Sequence, residues 1–314
     1  MLLASATLGC IAVSVAVGSV SLSLADVWAV LTGKGEPLHR TLILDLRLPR
    51  ALAAFATGGL LAVAGALMQV LLRNPLADPY VLGLSGGAAV AALLSMLADY
   101  PPVVVSIAAF MGALGSAVLV FGLSHGRGSW TTTRLLLTGV VISSGWGAVI
   151  TFMLAIGPTE RLPGMLYWLM GDLAYARSPW PALIVLGLTS LILLPLGRSL
   201  NVLSRGPLQA AALGVAVRPL EWSIYGSASL LTASAVTTAG SIGFVGLVVP
   251  HMLRLVLGND QRLILPAAAL AGGALLVLAD TVARTAIAPE QLPAGVITAL
   301  LGVPTFLYLL YRSR

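Results

Sequence analysis

The sequence predicts an all-α integral membrane protein, with about ten transmembrane helices in a compact bundle that has inverted-repeat halves. Of the 314 residues, 58% are hydrophobic and only 9% are charged. A soluble domain carries roughly 25% charged residues, so this chain has too few charges to solvate its own surface. Long apolar runs recur along the whole chain, and lipid is the natural solvent for such segments.

Ten apolar segments approach the length of about 20 residues that a spanning helix needs. They are 2–24, 47–71, 80–97, 102–123, 134–155, 180–197, 222–240, 242–257, 264–287 and 295–311. Three of these are short, but a bundle tolerates short or broken helices where neighbouring protein satisfies the backbone. Small residues in Gly58–Leu67 and Gly86–Leu93 predict close helix packing.

We expect these segments to form one transmembrane domain, 1–314, in which 47–155 and 222–311 are candidate repeat halves. The first 24 residues contain no Lys or Arg, so the basic start of a cleavable signal peptide is missing. We therefore expect the first segment to be retained as a helix. The single cysteine, Cys10, excludes a disulfide framework and a cysteine metal cluster.

Arginine placement predicts the orientation, because positive charge is enriched on the cytoplasmic side and an even number of spans puts both termini together. One side collects ten basic and three acidic residues: Arg73, Arg127, Arg134, Arg198, Arg205, Arg218, Arg254, Arg262, Arg312 and Arg314, with Asp78, Glu221 and Asp260. The other collects seven and eight: Lys34, Arg40, Arg47, Arg50, Arg161, Arg177 and Arg284, with Asp26, Glu36, Asp45, Asp99, Glu160, Asp172, Asp280 and Glu290. Both termini are therefore expected in the cytoplasm.

The stretch "LLRNPLADPYVLGLSGGA", Leu71–Ala88, interrupts the apolar pattern at this cytoplasmic side. Its two prolines remove backbone donors and end helices, while Asn74 and Asp78 favour turns and caps. The stretch therefore predicts a tight turn that leads into a broken helix. Two interpretations stay open: a structural hairpin, or a gate in which irregular backbone lines a water-filled path.

Several kinds of chemistry are missing from the sequence. It has no G-x-x-x-x-G-K-[ST] phosphate loop, no H-E-x-x-H and no G-x-S-x-G, so we expect neither ATP hydrolysis nor hydrolase catalysis by this chain. The histidines His39, His125 and His251 are far apart in sequence, which disfavours a metal site. The isolated basic residues are typical of membrane topology and not of nucleic-acid binding.

Ionisable residues are also rare within the predicted spans. Asp280 and Arg284 are the exception, four residues apart on one helix face near the outer end. Two interpretations are open for them: a local ion pair, or residues of a docking surface or mouth.

Three long stretches together resemble the permease subunits of type II ABC importers, the FecCD-like family that moves iron-siderophores, haem and cobalamin. They are Leu46–Ala88, Gly240–Pro266 ("GSIGFVGLVVPHMLRLVLGNDQRLILP") and Leu278–Leu310. The similarity extends over nearly the whole chain and is weakest in the first 45 residues and around 100–130. The ten-helix fold of that family agrees with the ten segments counted from hydropathy.

The resemblance implies a cytoplasmic coupling loop, 198–222, that docks into an ATPase. The matching residues are Arg205, Gly206, Pro207, Gln209, Ala210, Ala211, Leu213 and Gly214. Gln209 stands where the family has an acidic residue, which puts a salt bridge from that position in doubt. Gly206-Pro207 can start a short helix and Gly214 can stop it, with Ala210–Ala212 as a small docking face. An ordinary amphipathic loop is the alternative.

On the outer side, the resemblance implies that Arg47, Arg50 and Arg284 receive carboxylates from an external binding protein. Arginine suits this task because its planar fork binds a carboxylate bidentately. The alternative is that these side chains only extend to the membrane boundary.

The resemblance also implies a cytoplasmic gate and a pathway. The gate residues are Asn74, Leu76, Thr132 and Thr133, although Thr133 could instead cap the following helix. The pathway candidates are Thr138, Ser143 and Ser144 on the fifth segment, where Gly139 and Gly145 leave width, and Thr298, Gly302 and Thr305 on the tenth. Hydroxyls in helices often bind backbone carbonyls instead.

The partners implied are a second permease copy, two ATP-binding cassette subunits and a periplasmic substrate-binding protein, all at a bacterial inner membrane. This chain would bind no cofactor, since ATP and magnesium belong to the ATPase. An ion-coupled secondary transporter with inverted repeats is the main alternative, and a membrane scaffold without transport activity is another. The sequence does not separate a siderophore from haem or cobalamin as substrate.

Overall fold

A computed structural model describes residues 1–18, 22–124, 131–174, 176 and 178–312. The regular secondary structure of these residues is helical throughout. The α-helices, numbered in chain order, are α1 Leu2–Ala16, α2 Leu24–Leu31, α3 Pro37–Arg40, α4 Leu48–Leu71, α5 Leu84–Leu97, α6 Pro102–Ser124, α7 Thr132–Ile156, α8 Leu162–Met170, α9 Trp180–Leu193, α10 Gly197–Leu203, α11 Pro207–Ala212, α12 Val217–Ala239, α13 Val245–Leu257, α14 Gln261–Thr285 and α15 Ala294–Arg312. His125, Arg127, Arg177 and Arg314, named above, lie outside the described residues.

Each of the ten predicted segments coincides with a helix, but two boundaries are wrong. The segment 2–24 was expected as one helix, whereas α1 ends at Ala16 and Ser23 then caps α2 through a hydrogen bond from the Asp26 backbone N–H. The helix expected from residue 47 begins already at Pro37, because a π-helical turn over Thr41–Arg47 joins α3 to α4. Apolar length could not place that start, because Asp45 and Arg47 interrupt the apolar residues of the turn.

Five helical segments in the described ranges are long and apolar enough to cross a membrane alone. They are Pro37–Leu71, Pro102–Ser124, Thr132–Ile156, Trp180–Leu203 and Gln261–Thr285. The short helices α1, α5, α13 and α15 are apolar too, and pack against these longer segments. The chain is an integral membrane protein.

Helix α4 is the centre of the bundle and is buried along almost its whole length. It runs antiparallel to α14, and the two backbones approach most closely where Gly58 faces Gly272. Gly65 lies equally close to Gly246 of α13, and a Cβ at either α4 position would overlap a carbonyl oxygen. The small residues of Gly58–Leu67 therefore form the predicted close-packing face.

Two of the short helices follow a break in the backbone. Asp78 accepts a hydrogen bond from the Tyr80 backbone N–H at 2.8 Å, a 3-10 turn follows, and Gly83 with φ 71° precedes α5. Phe244, with φ 68°, likewise precedes α13. The turn and broken helix predicted for Leu71–Ala88 are confirmed, with glycine at the left-handed position that disfavours other residues.

The same order of helix lengths occurs twice along the chain. Helices α4 to α7 are long, short, long and long, and so are α12 to α15. At the end of α12, Gly240 packs on the Trp168 carbonyl of α8. That 47–155 and 222–311 are inverted repeat halves stays a prediction.

Candidate functional site

One end of the bundle carries a buried triad of Arg50, Asp280 and Arg284, which we call the triad end. Asp280 has a side chain only 1% exposed. Arg50 donates to it from Nη2 at 2.8 Å and from Nε at 3.1 Å, and Arg284 donates from Nε at 3.1 Å. A buried carboxylate needs such partners, because an uncompensated charge in this position would cost several kcal/mol.

Three further segments of the chain contact this triad, and Arg47 adds a contact beside it. Ser14 of α1 accepts from Arg284 through its hydroxyl at 2.9 Å, and Gln291 accepts from Arg50 Nη1 at 2.9 Å. Asp172, in the loop after α8, lies 3.8 Å from Arg50 Nη2, and burial raises the pKa of its carboxyl. Arg47 donates to the carbonyl oxygens at the end of α1. The arginines therefore hold α1, α4, α14 and two loops together.

This geometry changes the interpretation of the three arginines expected to receive a docking protein. Arg47 and Arg284 are 7% and 8% exposed and are committed to partners within the chain, so the structure does not present them at the surface. The ion pair between Asp280 and Arg284, one of the two open interpretations, is present. Arg50 alone keeps one edge of its guanidinium toward the exposed Gln291.

The opposite end, which we call the α11 end, carries the short helix α11. Gly206, with φ 128°, precedes Pro207 at the first helical position, and Gly214, with φ 80°, follows the helix. The Val215 N–H bonds Ala210 O at 2.9 Å and the Gly214 N–H bonds Ala211 O at 3.0 Å, which is a Schellman cap. The short helix expected from Gly206-Pro207 and Gly214 is therefore present.

The exposure along α11 differs from the expected docking face of Ala210–Ala212. Ala210 is fully buried and anchors the helix on the bundle, so only Ala211 and Ala212 face outward. The most exposed apolar side chains are Leu208 at 87% and Leu213 at 70%. Arg205 and Gln209 are exposed beside them. The sequence analysis did not name Leu208 as a site residue. Its position after Pro207, in a short helix with Arg205 and Gln209 nearby, could have indicated an exposed apolar side chain.

A pair of polar contacts fixes this end to α14. Asn201 of α10 donates to Asp260 Oδ1 at 2.8 Å and accepts from the Gln261 backbone N–H at 2.7 Å. Asp260 also pairs with Arg262 at 2.6 Å. Hydrogen bonds from Arg262 and Asn201 lower the pKa of the Asp260 carboxyl. Helix α14 thus starts at the α10–α11 segment and ends in the triad.

The predicted gate residues also meet at the α11 end. Asn74 Oδ1 accepts from the Leu76 backbone N–H at 2.9 Å, and both residues are exposed. The adjacent Arg73, with φ 48°, donates to Thr132 Oγ1 at 3.4 Å. The cap of α7 is Thr131, which accepts from the Arg134 N–H at 3.2 Å. The suggested cap at Thr133 is therefore wrong, and Thr133 is exposed.

A buried amide ties the gate loop to α13. Gln69 of α4 donates to Leu247 O at 3.2 Å and to Ala77 O at 3.4 Å. Its Oε1 accepts from Arg254 Nη1, whose other amino group reaches Ala66 O at 3.4 Å. We missed both residues, although an amide inside the apolar run that ends α4 was a visible signal.

The pathway candidates fall into two groups with different neighbours. Thr138, Ser143 and Ser144 lie on α7, which packs on α5 and α6, whereas Thr298, Gly302 and Thr305 lie on α15, which packs on α13 and α14. Ser144, Thr298 and Thr305 donate to carbonyl oxygens of their own helices, at 3.0, 3.0 and 2.7 Å, as the alternative interpretation expected.

The structure contradicts the role expected for Gly139 and places the α15 residues beside a cavity. Gly139 does not leave width, because it packs directly on the Val81 carbonyl, whereas Gly145 has open space. The three α15 residues line a cavity of about 990 Å³ between α1, α13, α14 and α15, whose other lining side chains are almost all apolar.

Comparisons with known proteins agree with this architecture. The profile of the FecCD transport family matches residues 6–312. The chain is 41% identical to the hemin transport system permease protein HmuU of Yersinia pestis, over 95% of this chain and 90% of that one. It is 47% identical to the cobalamin import system permease protein BtuC of Halobacterium salinarum, over 86% and 73%.

The fold is similar to that of a solved ABC transporter chain. That transporter, described as metal-chelate type, was solved in an inward-facing conformation, and the TM-score is 0.87 at 33% identity, covering 99% of this chain and 97% of that one. With a match that extends over nearly all its residues, this chain belongs to the FecCD transport family.

Proposed function

We propose that this chain is the permease subunit of an ATP-driven importer in a bacterial inner membrane, with both termini in the cytoplasm. It would act beside a second permease copy, two ATP-binding cassette subunits and a periplasmic substrate-binding protein. Its cargo would be an iron chelate such as a siderophore or haem, or cobalamin, in line with the relatives that carry hemin and cobalamin names. It performs no chemistry itself, and ATP and magnesium bind to the partner ATPase.

The observation that carries this proposal is the exposed apolar surface of α11. Leu208 and Leu213 project from a helix that is fixed at both ends by Gly206 and by the Schellman cap, and Ala210 holds it on the bundle. Exposed leucines on a rigid element outside the membrane-spanning segments are typical of a protein–protein contact. An ATPase seated there would move α11 and, through Asn201 and Asp260, the start of α14.

A continuous element connects the two ends of the molecule. Helix α14 has 25 residues, which corresponds to about 37 Å. It begins at the contact with α10 and ends in the triad, so a displacement of α11 tilts the element that holds Arg50 and Arg284. Rigid-body motion of this kind is an established way to switch access between two sides.

A second permease copy would cover α7. This helix is 25 residues long and buries only Leu135, Gly139 and Met153, while Val141 and Phe152 are among its exposed side chains. A twofold axis beside α7 would let one interface complete a pore from two identical surfaces. The secondary-transporter alternative is disfavoured by Asp280, because this carboxylate is bound by two arginines of the same chain and is not left free to bind a coupling ion.

Co-purification tests this proposal. The chain is co-expressed with its ATP-binding cassette partner, and the wild type is compared with Leu208→Glu and with Arg134→Ala, a control on the exposed first turn of α7, outside the coupling loop. We expect the wild type and the control to retain the ATPase and Leu208→Glu to lose it by at least about tenfold, because a charge replaces a buried apolar contact. Full retention by Leu208→Glu together with Leu213→Glu would contradict the proposal.

A further inference from the structure

The guanidinium of Arg50 uses its two edges differently. The side edge, formed by Nε and Nη2, binds Asp280 bidentately at 3.1 and 2.8 Å and lies inside the bundle. The end edge, formed by Nη1 and Nη2, lies against Gln291, which is exposed, and near Asp172. An arginine guanidinium can bind one carboxylate on each edge. In this structure the side edge makes both of its hydrogen bonds to Asp280, whereas the end edge, which we call the outer edge, has weaker partners.

Two loop residues occupy that outer edge. Gln291, in the loop between α14 and α15, accepts from Nη1 at 2.9 Å through a neutral amide oxygen. Asp172, in the loop between α8 and α9, stays 3.8 Å from Nη2, beyond ordinary hydrogen-bond distance. Neither contact has the strength of a bidentate carboxylate, which would place two oxygens on the same edge.

Asp172 is held in this position at an energetic cost. Its side chain is 8% exposed, and burial together with the nearby Asp280 charge raises the pKa of its carboxyl, although Arg50 and the Ala174 backbone N–H act in the opposite direction. A carboxylate with this balance gains hydration when it leaves. The adjacent Gly171 accepts a hydrogen bond from the Gly295 N–H at 3.1 Å, so this loop adjoins the first turn of α15.

We propose that Asp172 and Gln291 are exchangeable place-holders on Arg50, and that an Asp or Glu side chain of a docking protein displaces them. This inference rests on the proposed function, since the partner is the substrate-binding protein of the importer. Docking would replace the Asp172 carboxylate beside Arg50 by a carboxylate of the docking protein. Arg47 and Arg284 would keep their partners within the chain. Release of Asp172 would free the loop beside α15, so contact at Arg50 reaches the last spanning helix.

Opposite charge changes at the two place-holders test the exchange. The permease–ATPase complex is placed in lipid nanodiscs, and the Kd of the purified substrate-binding protein of the same transporter is measured for each variant. We expect Asp172→Asn to bind about 3- to 10-fold more tightly, because a competing charge is gone, and Gln291→Glu about tenfold more weakly, because a stronger competitor is added. Gln291→Ala, which removes an exposed contact only, should bind slightly more tightly than the wild type.

Asp99→Asn is the matched control. Asp99 lies at the same end, is exposed and pairs with Arg161 at 3.4 Å, so this variant removes the same charge away from Arg50. Asp172→Asn binding no tighter than Asp99→Asn, or Gln291→Glu binding like the wild type, would overturn the exchange while leaving docking itself intact. If the binding protein fails to bind the wild type and every variant, both the exchange and the proposed docking are refuted.

Discussion

The two ends of the bundle are held together by different chemistry. At the triad end, Asp280 lies between two arginines in a buried network that joins three helices and two loops. At the α11 end, a neutral amide and a partly exposed ion pair have the corresponding role: Gln69 accepts from Arg254, and Asp260 pairs with the half-exposed Arg262. The difference indicates that one end is fixed by charges that cannot be left unpaired, whereas the other can separate and re-form at small cost.

The largest expected effect comes from removing the central carboxylate. Asp280→Asn leaves Arg50 and Arg284 buried without a counter-charge, which should lower the free energy of unfolding by about 3–5 kcal/mol. The measurement is equilibrium unfolding in mixed detergent micelles. Asp260→Asn is the control from the α11 end and should have a much smaller effect because that ion pair is partly exposed to solvent. Equal losses in the two variants would remove the distinction between the ends.

A smaller effect is expected at the tie between α4 and the gate loop. Gln69→Leu leaves Arg254 without its amide acceptor and the Leu247 and Ala77 carbonyls without their donor, which should cost about 1–3 kcal/mol. Gln69→Glu restores an acceptor for Arg254 and should recover part of that loss. The same unfolding experiment measures both, and Gln69→Leu as stable as the wild type would show that this tie contributes nothing.

A further comparison comes from pH slopes of opposite sign at the two ends. Burial raises the pKa of Asp78, beside the gate, to about 6, so the folded state holds its proton longer than the unfolded state and stability falls as pH rises from about 4 to 6. At the triad end, hydrogen bonds from Ser23 lower the pKa of Asp26, so its contribution is present above about pH 4 and is lost as pH falls through the lowered pKa.

The two slopes can be separated by melting temperature measured between pH 3 and 7. We expect Asp78→Asn to flatten the curve between about pH 4 and 6, and Asp26→Asn to flatten only its acidic limb. Superimposable curves for the wild type and Asp78→Asn would contradict the buried position of that carboxyl.

Local signals were enough to predict much of the fold. Apolar length located every spanning segment, the two prolines with Gly83 located the broken helix, and Gly206-Pro207 with Gly214 bounded α11. Each of these depends on backbone chemistry within a few residues, which a sequence displays directly.

The sites were less predictable, because they depend on contacts between distant parts of the chain. Arg50 meets Asp172 and Asp280 only after folding, so the sequence suggested its role but not its partners. The burial of Ala210 and of Arg284 likewise follows from the bundle and not from neighbouring residues. Thr131, not Thr133, caps α7, because a difference of two positions decides which hydroxyl reaches the free N–H groups of the first turn.

The central claim is that this chain is a passive conduit driven through α11 by a separate ATPase. The most direct test reconstitutes the chain in proteoliposomes with its ATPase and binding protein and follows uptake of labelled haem, cobalamin and a ferric siderophore. The account predicts uptake of one of them that requires ATP hydrolysis and is lost in Leu208→Glu. Uptake by the chain alone, driven by an ion gradient and unaffected by ATP, would contradict it.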